Sequence, residues 1–219
     1  MAATKSIKQT YKRKSAAERR DELIAAGIVC LGRGGMAGFT IDQICKQAGI
    51  SRGLINHHFN TKDELLSAIY AYMTDHLIYE YHCENDLELL ESIIETSFDE
   101  KSFNRSNLRA WLAIWGQVGS NEALSKLHKQ RYDHYKESIK AALRRISNGM
   151  PNGMTNGISN HFEIDSVARQ MIALIDGLWL EYCLHSDGFS LTLARADCYR
   201  FLSAYGVEIK PSACIPMEE

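Results

Sequence analysis

TIDQICKQAGISRGLINHHF, residues 40–59, is the stretch on which the fold turns. Thr40 and Gln43 stand at capping-box spacing, the hydroxyl accepting from an early orphan amide and the glutamine reaching back to the cap. Ile41, Ile44 and Ala48 then recur at helical spacing. Gly49 follows them, where a residue free to take positive φ ends a helix at little cost. Ser51 is a second N-cap, and Ile55 and Phe59, at i and i+4, give the next helix one apolar edge. Its other face carries Arg52, Gly53, Leu54, Asn56, His57 and His58. Helices this short cannot bury themselves, and so tight a turn makes them cross steeply, so the pattern predicts a helix-turn-helix unit. Cys45, one turn before Gly49, has the small side chain that a close crossing needs and is read as packing. An ordinary pair of core helices is the alternative that this stretch alone leaves open.

The flanks read as helix throughout. Ser15 and Glu18 form another capping box, and Ile24, Ile28 and Leu31 follow before Gly32, Gly34 and Gly35 stop the helix. Thr61 and Glu64 make a third box, opening a long helix with Leu65, Leu66, Ile69, Met73, Leu77 and Tyr81 inward. Asp86 is placed to cap a helix holding Leu87, Leu90, Ile94 and Phe98. A further helix from about residue 104 aligns Leu108, Trp111, Leu112, Trp115 and Val118, and another spans about 121–146. Residues 147–160, SNGMPNGMTNGISN, repeat Asn-Gly turns around Pro151, a composition that cannot pack a core, and are expected to be a loop. An apolar helix over about 165–185 and a last one over about 191–205 follow. No strand pattern occurs, so the fold class is all-α: a basic arm at 1–14, a three-helix head at 15–62, a helical body at 63–207 and a loose tail at 208–219.

Composition separates head from body. Net charge is −2 over 219 residues. Residues 1–62 nevertheless hold eleven Lys and Arg against four Asp and Glu, net +7, which leaves −9 on the remainder. A basic head on an acidic body suits an end that meets a polyanion and a part that should avoid it. No apolar run approaches the ~20 residues that span a bilayer, and the polar, basic N-terminus has no secretory h-region, so a cytoplasmic location is expected. The six cysteines show no C-x-x-C pair or metal-finger spacing, as expected of separate reduced thiols.

GISRGLINHHFNTKDELL, residues 49–66, resembles the signature of TetR-family transcriptional regulators, matching at Gly49, Ser51, Gly53, Ile55, Phe59 and the Lys62-Asp63-Glu64-Leu65 helix entry. Many members carry Tyr where Asn56 and His58 stand, a departure at positions that usually touch phosphate. The resemblance implies a homodimer on palindromic double-stranded DNA. On that reading Thr40, Ser51, Gly53, His58 and Lys62 are expected on phosphates, and Arg52, Leu54, Asn56 and His57 at base edges. In such proteins the last two long helices pair with their copies, which fits the wide apolar stripe of Ala168, Met171, Ile172, Ile175, Leu178, Trp179 and Tyr182.

The segments FDE at 98–100, RAWLAIW at 109–115 and ALIDGLWL at 173–180 look like the BetI-type subgroup, betaine-synthesis repressors that respond to choline. Chemistry supplies an independent check, because a quaternary ammonium has no N–H to donate and is held by π faces and a nearby anion. Trp111, Trp115, Trp179, Phe98 and Tyr182, with Asp176 as counter-charge, are the candidate cage. The plain alternative is that these aromatics are core. A TetR-type regulator of an efflux or catabolic operon with another inducer remains open. So does, more remotely, a helical enzyme using His57 and His58, although no phosphate loop or nucleophile elbow occurs. His82, Cys83, His128 and His134 lack metal-ligand spacing, and neither metal nor cofactor is expected.

Overall fold

Local capping and close helix contact explain most element boundaries in the computed structural model, which describes residues 15–78, 85–100, 103–149 and 161–209. Helix α1, Ala16–Gly38, starts on the expected box: Glu18 N–H donates to Ser15 Oγ at 3.1 Å, and Ser15 N–H to Glu18 Oε2 at 2.6 Å. Its end departs from expectation. Gly32 does not stop the helix, which runs on until Gly35, at φ 55° and ψ −150°, breaks it. Gly32 is instead a contact point, where a Cβ would lie 2.2 Å from Ser106 Oγ and 2.4 Å from the Ser106 carbonyl oxygen. Glycine there lets α6, Arg105–Val118, lie directly on α1.

Helix α2, Ile41–Ala48, and α3, Arg52–His58, form the helix-turn-helix, with Gly49 left-handed at φ 66° between them. Only one half of the Thr40 box forms: Gln43 N–H donates to Thr40 Oγ1 at 3.3 Å, while the Thr40 N–H goes to the Gly38 carbonyl at 3.0 Å. Ser51 caps α3 by position without a side-chain hydrogen bond. Ile44, Ile55 and Phe59 are buried with Leu23, Leu31 and Phe39 of the preceding segment, and Cys45 is buried at the crossing. Helix α4, Lys62–Ile78, roofs this bundle with Leu65, Leu66 and Ile69. Thr61 Oγ1 accepts from Glu64 N–H at 3.0 Å, but the Glu64 carboxylate accepts from Asn60, at N 2.9 Å and Nδ2 3.1 Å, rather than from Thr61. Tyr81 and the side chain of Leu77 lie outside the described residues.

In the body, α5, Asp86–Ser97, is capped by Asn85 and not by Asp86. Asp86 stands in the first turn, where its charge faces the helix dipole, and takes a forked contact from Arg145 at 2.6–2.9 Å. Leu87, expected inward, is 38% exposed. Helix α7, Glu122–Gly149, continues three residues into the expected Asn-Gly loop, and residues 150–160 lie outside the described set. Helix α8, His161–Leu184, pairs with α7 through the buried Lys140, whose ammonium meets Glu137 at 2.7 Å and Asp165 at 2.8 Å. Helix α9, Leu191–Ser203, packs on α8 and is tied to α5, where Tyr199 O–H donates to Glu95 Oε1 at 2.6 Å and Arg195 Nε lies 3.1 Å from Glu95 Oε2. Every element among the described residues is helical, and none of these helices is long and apolar enough to cross a membrane. The arm at 1–14 and the tail from 210 are outside the described residues.

Candidate functional site

Burial of Ile55 and Phe59 fixes which side of α3 faces out. Ser51, Arg52, Gly53, Asn56 and His57 are exposed, Leu54 and His58 half-buried, and Thr40 and Lys62 exposed at the adjoining helix starts. None of the nine candidate contacts is buried. A Cβ on Gly53 would meet nothing within 4 Å, so internal packing does not require glycine at this position. Arg52 grips Asp42 of α2 through both carboxylate oxygens, an exposed pair that holds the guanidinium at the start of α3. Arg20 stacks over the Phe59 ring at 4.5 Å, and the Lys62 ammonium sits 5.9 Å from the Phe39 ring. Arg33 and Lys46, not among the candidate contacts, border the cleft beside Thr40, with Arg33 donating to Gln47 at 2.9 Å.

The second site is a cavity of about 370 Å³, partly open to solvent, between α4, α6, α7, α8 and the end of α5. The structure brings Trp111, Trp115, Trp179 and Asp176 together on its wall and leaves two of the candidates elsewhere. Phe98 is fully buried against Phe103 at 5.5 Å, and Tyr182 packs on Phe103 at 4.7 Å and Phe189 at 5.3 Å, a separate aromatic cluster. Within the cavity, Trp111 stands 5.7 Å from Trp115 and 5.9 Å from Trp179, while Trp115 and Trp179 are nearly parallel, 6.4 Å apart at 11°. Trp179 Nε1–H donates to the Ser97 carbonyl at 3.0 Å, which fixes its ring. Asp176 has no ion-pair or hydrogen-bond partner among the described residues, and burial alone pushes its carboxyl up to about 6. A half-buried acid without an ion-pair partner beside three indoles has the chemistry that complements a cation.

Sequence reasoning missed the opposite wall. Tyr70 and Thr74 of α4 and His128, Arg131 and Tyr132 of α7 line it together with Tyr135, which the sequence places inward, and Ser97, Val118, Ile172 and Ile175 add to the wall. The α7 residues recur at i, i+3, i+4 and i+7, a polar-aromatic stripe on the helix that was legible but had no partner in sight. Tyr70 follows Ile69 directly and therefore points off the head's core face. Its hydroxyl lies 2.8 Å from His128 Nδ1, and its ring packs edge-on to Trp111 at 5.7 Å. Burial holds the phenol up at about 12 and depresses the His128 imidazole, so both are uncharged near neutrality. No three His, Cys, Asp or Glu side chains converge on a metal-sized space among the described residues; His82 and Cys83 lie outside them.

Exposed aliphatics stand on the two packed helices α8 and α9: Leu180 at 44% and Leu184 at 62%, one turn apart on α8, and Leu193 at 63% on α9. Three large aliphatics open to water on adjacent helices make a face suited to a partner surface.

Comparison with known proteins accounts for both halves. Residues 23–69 match the bacterial regulatory proteins of the tetR family, and residues 87–206 match the C-terminal domain of the BetI-type transcriptional repressors. The HTH-type transcriptional regulator BetI of Serratia proteamaculans (strain 568) is 29% identical over 185 residues, 81% of this chain and 87% of that protein. Its namesake in Ectopseudomonas mendocina (strain ymp) is 28% identical over 191 residues, covering 84% and 91%. Among solved structures, one from Pseudomonas aeruginosa PAO1 assigned as a transcriptional regulator superposes with TM-score 0.71 at 30% identity, covering 89% of this chain and 93% of that one. A regulator from Saccharomonospora viridis, solved in complex with choline, has TM-score 0.70 at 22% identity over 85% and 96%, a likeness of fold.

Proposed function

The chain belongs to the TetR family of transcriptional regulators, with the C-terminal domain of the BetI-type repressors, and from that premise we propose a repressor of glycine betaine synthesis genes that choline or a close quaternary ammonium releases from its operator. It is a DNA-binding regulator and not an enzyme. The observation that carries the ligand reading is the meeting of Trp111, Trp115 and Trp179 with the unpartnered Asp176 in one cavity.

On this reading residues 15–62 are the DNA-binding head and 63–207 the regulatory and dimerisation body. Two copies meet through Leu180, Leu184 and Leu193, presenting two α3 helices to a palindrome. Thr40, Ser51, Gly53, His58 and Lys62 hold the backbone; Arg52, Leu54, Asn56 and His57 face the bases. Arg52→Ala is expected to cost about 1–3 kcal/mol at one base step and relax preference there, whereas Lys62→Ala should weaken all sequences alike and lower the salt slope by about 1. Binding to a randomised operator library at two salt concentrations separates these. Unchanged base preference in Arg52→Ala would remove it from the reading set.

A cation favouring the dimer shape that cannot bind DNA shifts the population by its differential affinity and no more, so release is graded with choline. The test is a choline titration followed by tryptophan fluorescence and by operator release, on the wild type and on Trp115→Leu, whose site is only half-buried. Quenching and release that both disappear in the variant support the cage. Release by bulky aromatic cations but not by choline assigns the protein to an efflux or catabolic operon instead.

A further inference from the structure

Resting on the reading of the cavity as a quaternary ammonium site, we propose that its occupant is longer than choline: a monocation with an uncharged oxygen-bearing tail, such as an ester or amide carbonyl, read by Tyr70 and His128. Three observations carry this. The first is size. A space of about 370 Å³ lies within the ~300–1,000 Å³ of sites that take drug-sized ligands, more than a cation as small as choline fills.

The second is the division of the wall. The indoles and Asp176 come from α6 and α8, whereas Tyr70 and His128 come from α4 and α7 and begin one ring beyond Trp111, 5.7 Å from its centroid to that of Tyr70. A trimethylammonium head seated among the tryptophans therefore points its chain at the Tyr70–His128 couple. That couple, neutral phenol and neutral imidazole, has two donors, an O–H and an N–H. The 2.8 Å bond between them uses one. The other has no protein acceptor among the described residues and is available to a carbonyl oxygen.

The third is charge. The cavity wall carries Asp176 and Arg131, and Arg131 is already ion-paired with Asp75. The balance left for an occupant is one negative charge, which matches a monocation with a neutral tail rather than a zwitterion.

The experiment is calorimetric titration of the full-length protein with tetramethylammonium, choline, acetylcholine and carnitine, repeated on Tyr70→Phe and His128→Asn after thermal melts confirm folding. Acetylcholine is expected to bind about tenfold more tightly than choline, the worth of one well-made hydrogen bond and the filled volume, and that ratio should collapse towards one in either variant. Equal affinities for choline and acetylcholine in the wild type overturn the tail site while leaving the cage intact. Tighter binding of carnitine overturns the uncharged tail in favour of a carboxylate at Arg131. An acetylcholine advantage that survives both variants overturns the assignment to Tyr70 and His128. Failure of all four probes overturns the quaternary ammonium reading itself.

Discussion

Asp176→Asn is expected to stabilise the ligand-free protein while removing its response to quaternary ammonium cations. The folded carboxyl titrates at about 6 against an ordinary 3.8, because burial disfavours the charged form and no cation offsets it among the described residues. The folded state therefore binds the proton more tightly than the unfolded state, and stability falls as pH rises from about 3.8 to about 6. Above that range the whole penalty is present, at most about 3 kcal/mol for a shift of this size. Asparagine cannot ionise, so the variant should melt higher at pH 7 and lose that stretch of pH dependence. Its affinity for choline should drop about 30-fold or more, the cost of ~2 kcal/mol for removing one charge of a buried pair. In the wild type the same linkage makes cation binding weaken below pH 6, by up to about tenfold per unit, with proton uptake by Asp176 competing for the site. Melts and titrations at pH 5, 6 and 7 on both proteins check every part. A variant that melts lower, or binds choline as tightly as before, would take Asp176 out of the cage.

Gly32→Ala should damage the protein more than any other glycine-to-alanine change in α1 outside the strained turn. The added carbon would lie 2.2 Å from Ser106 Oγ, 2.4 Å from its carbonyl oxygen and 2.9 Å from its carbonyl carbon. Two of those atoms are backbone, so relief requires α6 to move off α1, and overpacking of this kind costs about 1–3 kcal/mol. The consequence is more than instability. Helix α1 carries the head, and α6 carries Trp111 and Trp115, so the seam at Gly32 is where the aromatic cavity and the DNA-facing unit are in direct contact. Operator affinity should change although Gly32 itself packs against Ser106 of α6 and is not among the candidate DNA contacts. Gly34→Ala is the control: its Cβ meets nothing within 4 Å, and alanine in a helix is favoured by about 0.5–1 kcal/mol. Thermal melts and operator titration of the two variants should therefore move in opposite directions in stability. Equal behaviour would mean that α6 yields freely at this seam.

What could be read without coordinates was local. The helix-turn-helix between Thr40 and Phe59, the Ser15 box, the Gly49 turn and the inward stripes of α4 and α6 all rest on residues within about four positions of one another, which the chain itself holds together. Errors at boundaries had local competitors too: Asn85 offered a better cap than Asp86, and the α7 helix found enough support to run through Ser147 to Gly149. The tryptophans and Asp176 were legible as a set because a cation cage demands those chemistries, but nothing in the chain said which aromatics share a space. Phe98 and Tyr182 carry the same chemistry and face another cluster. Tyr70, Trp111, His128 and Asp176 lie on four helices far apart in sequence, and only packing turns their side chains toward one void. The same holds for Gly32, whose spacing reads as a helix stop and whose role is set by a serine 74 positions later, pressed against it. Periodicity and caps determine which segments are helices and which of their faces are apolar. Which face meets which is a property of close-packed volume, and volume is decided only when all the helices are in place.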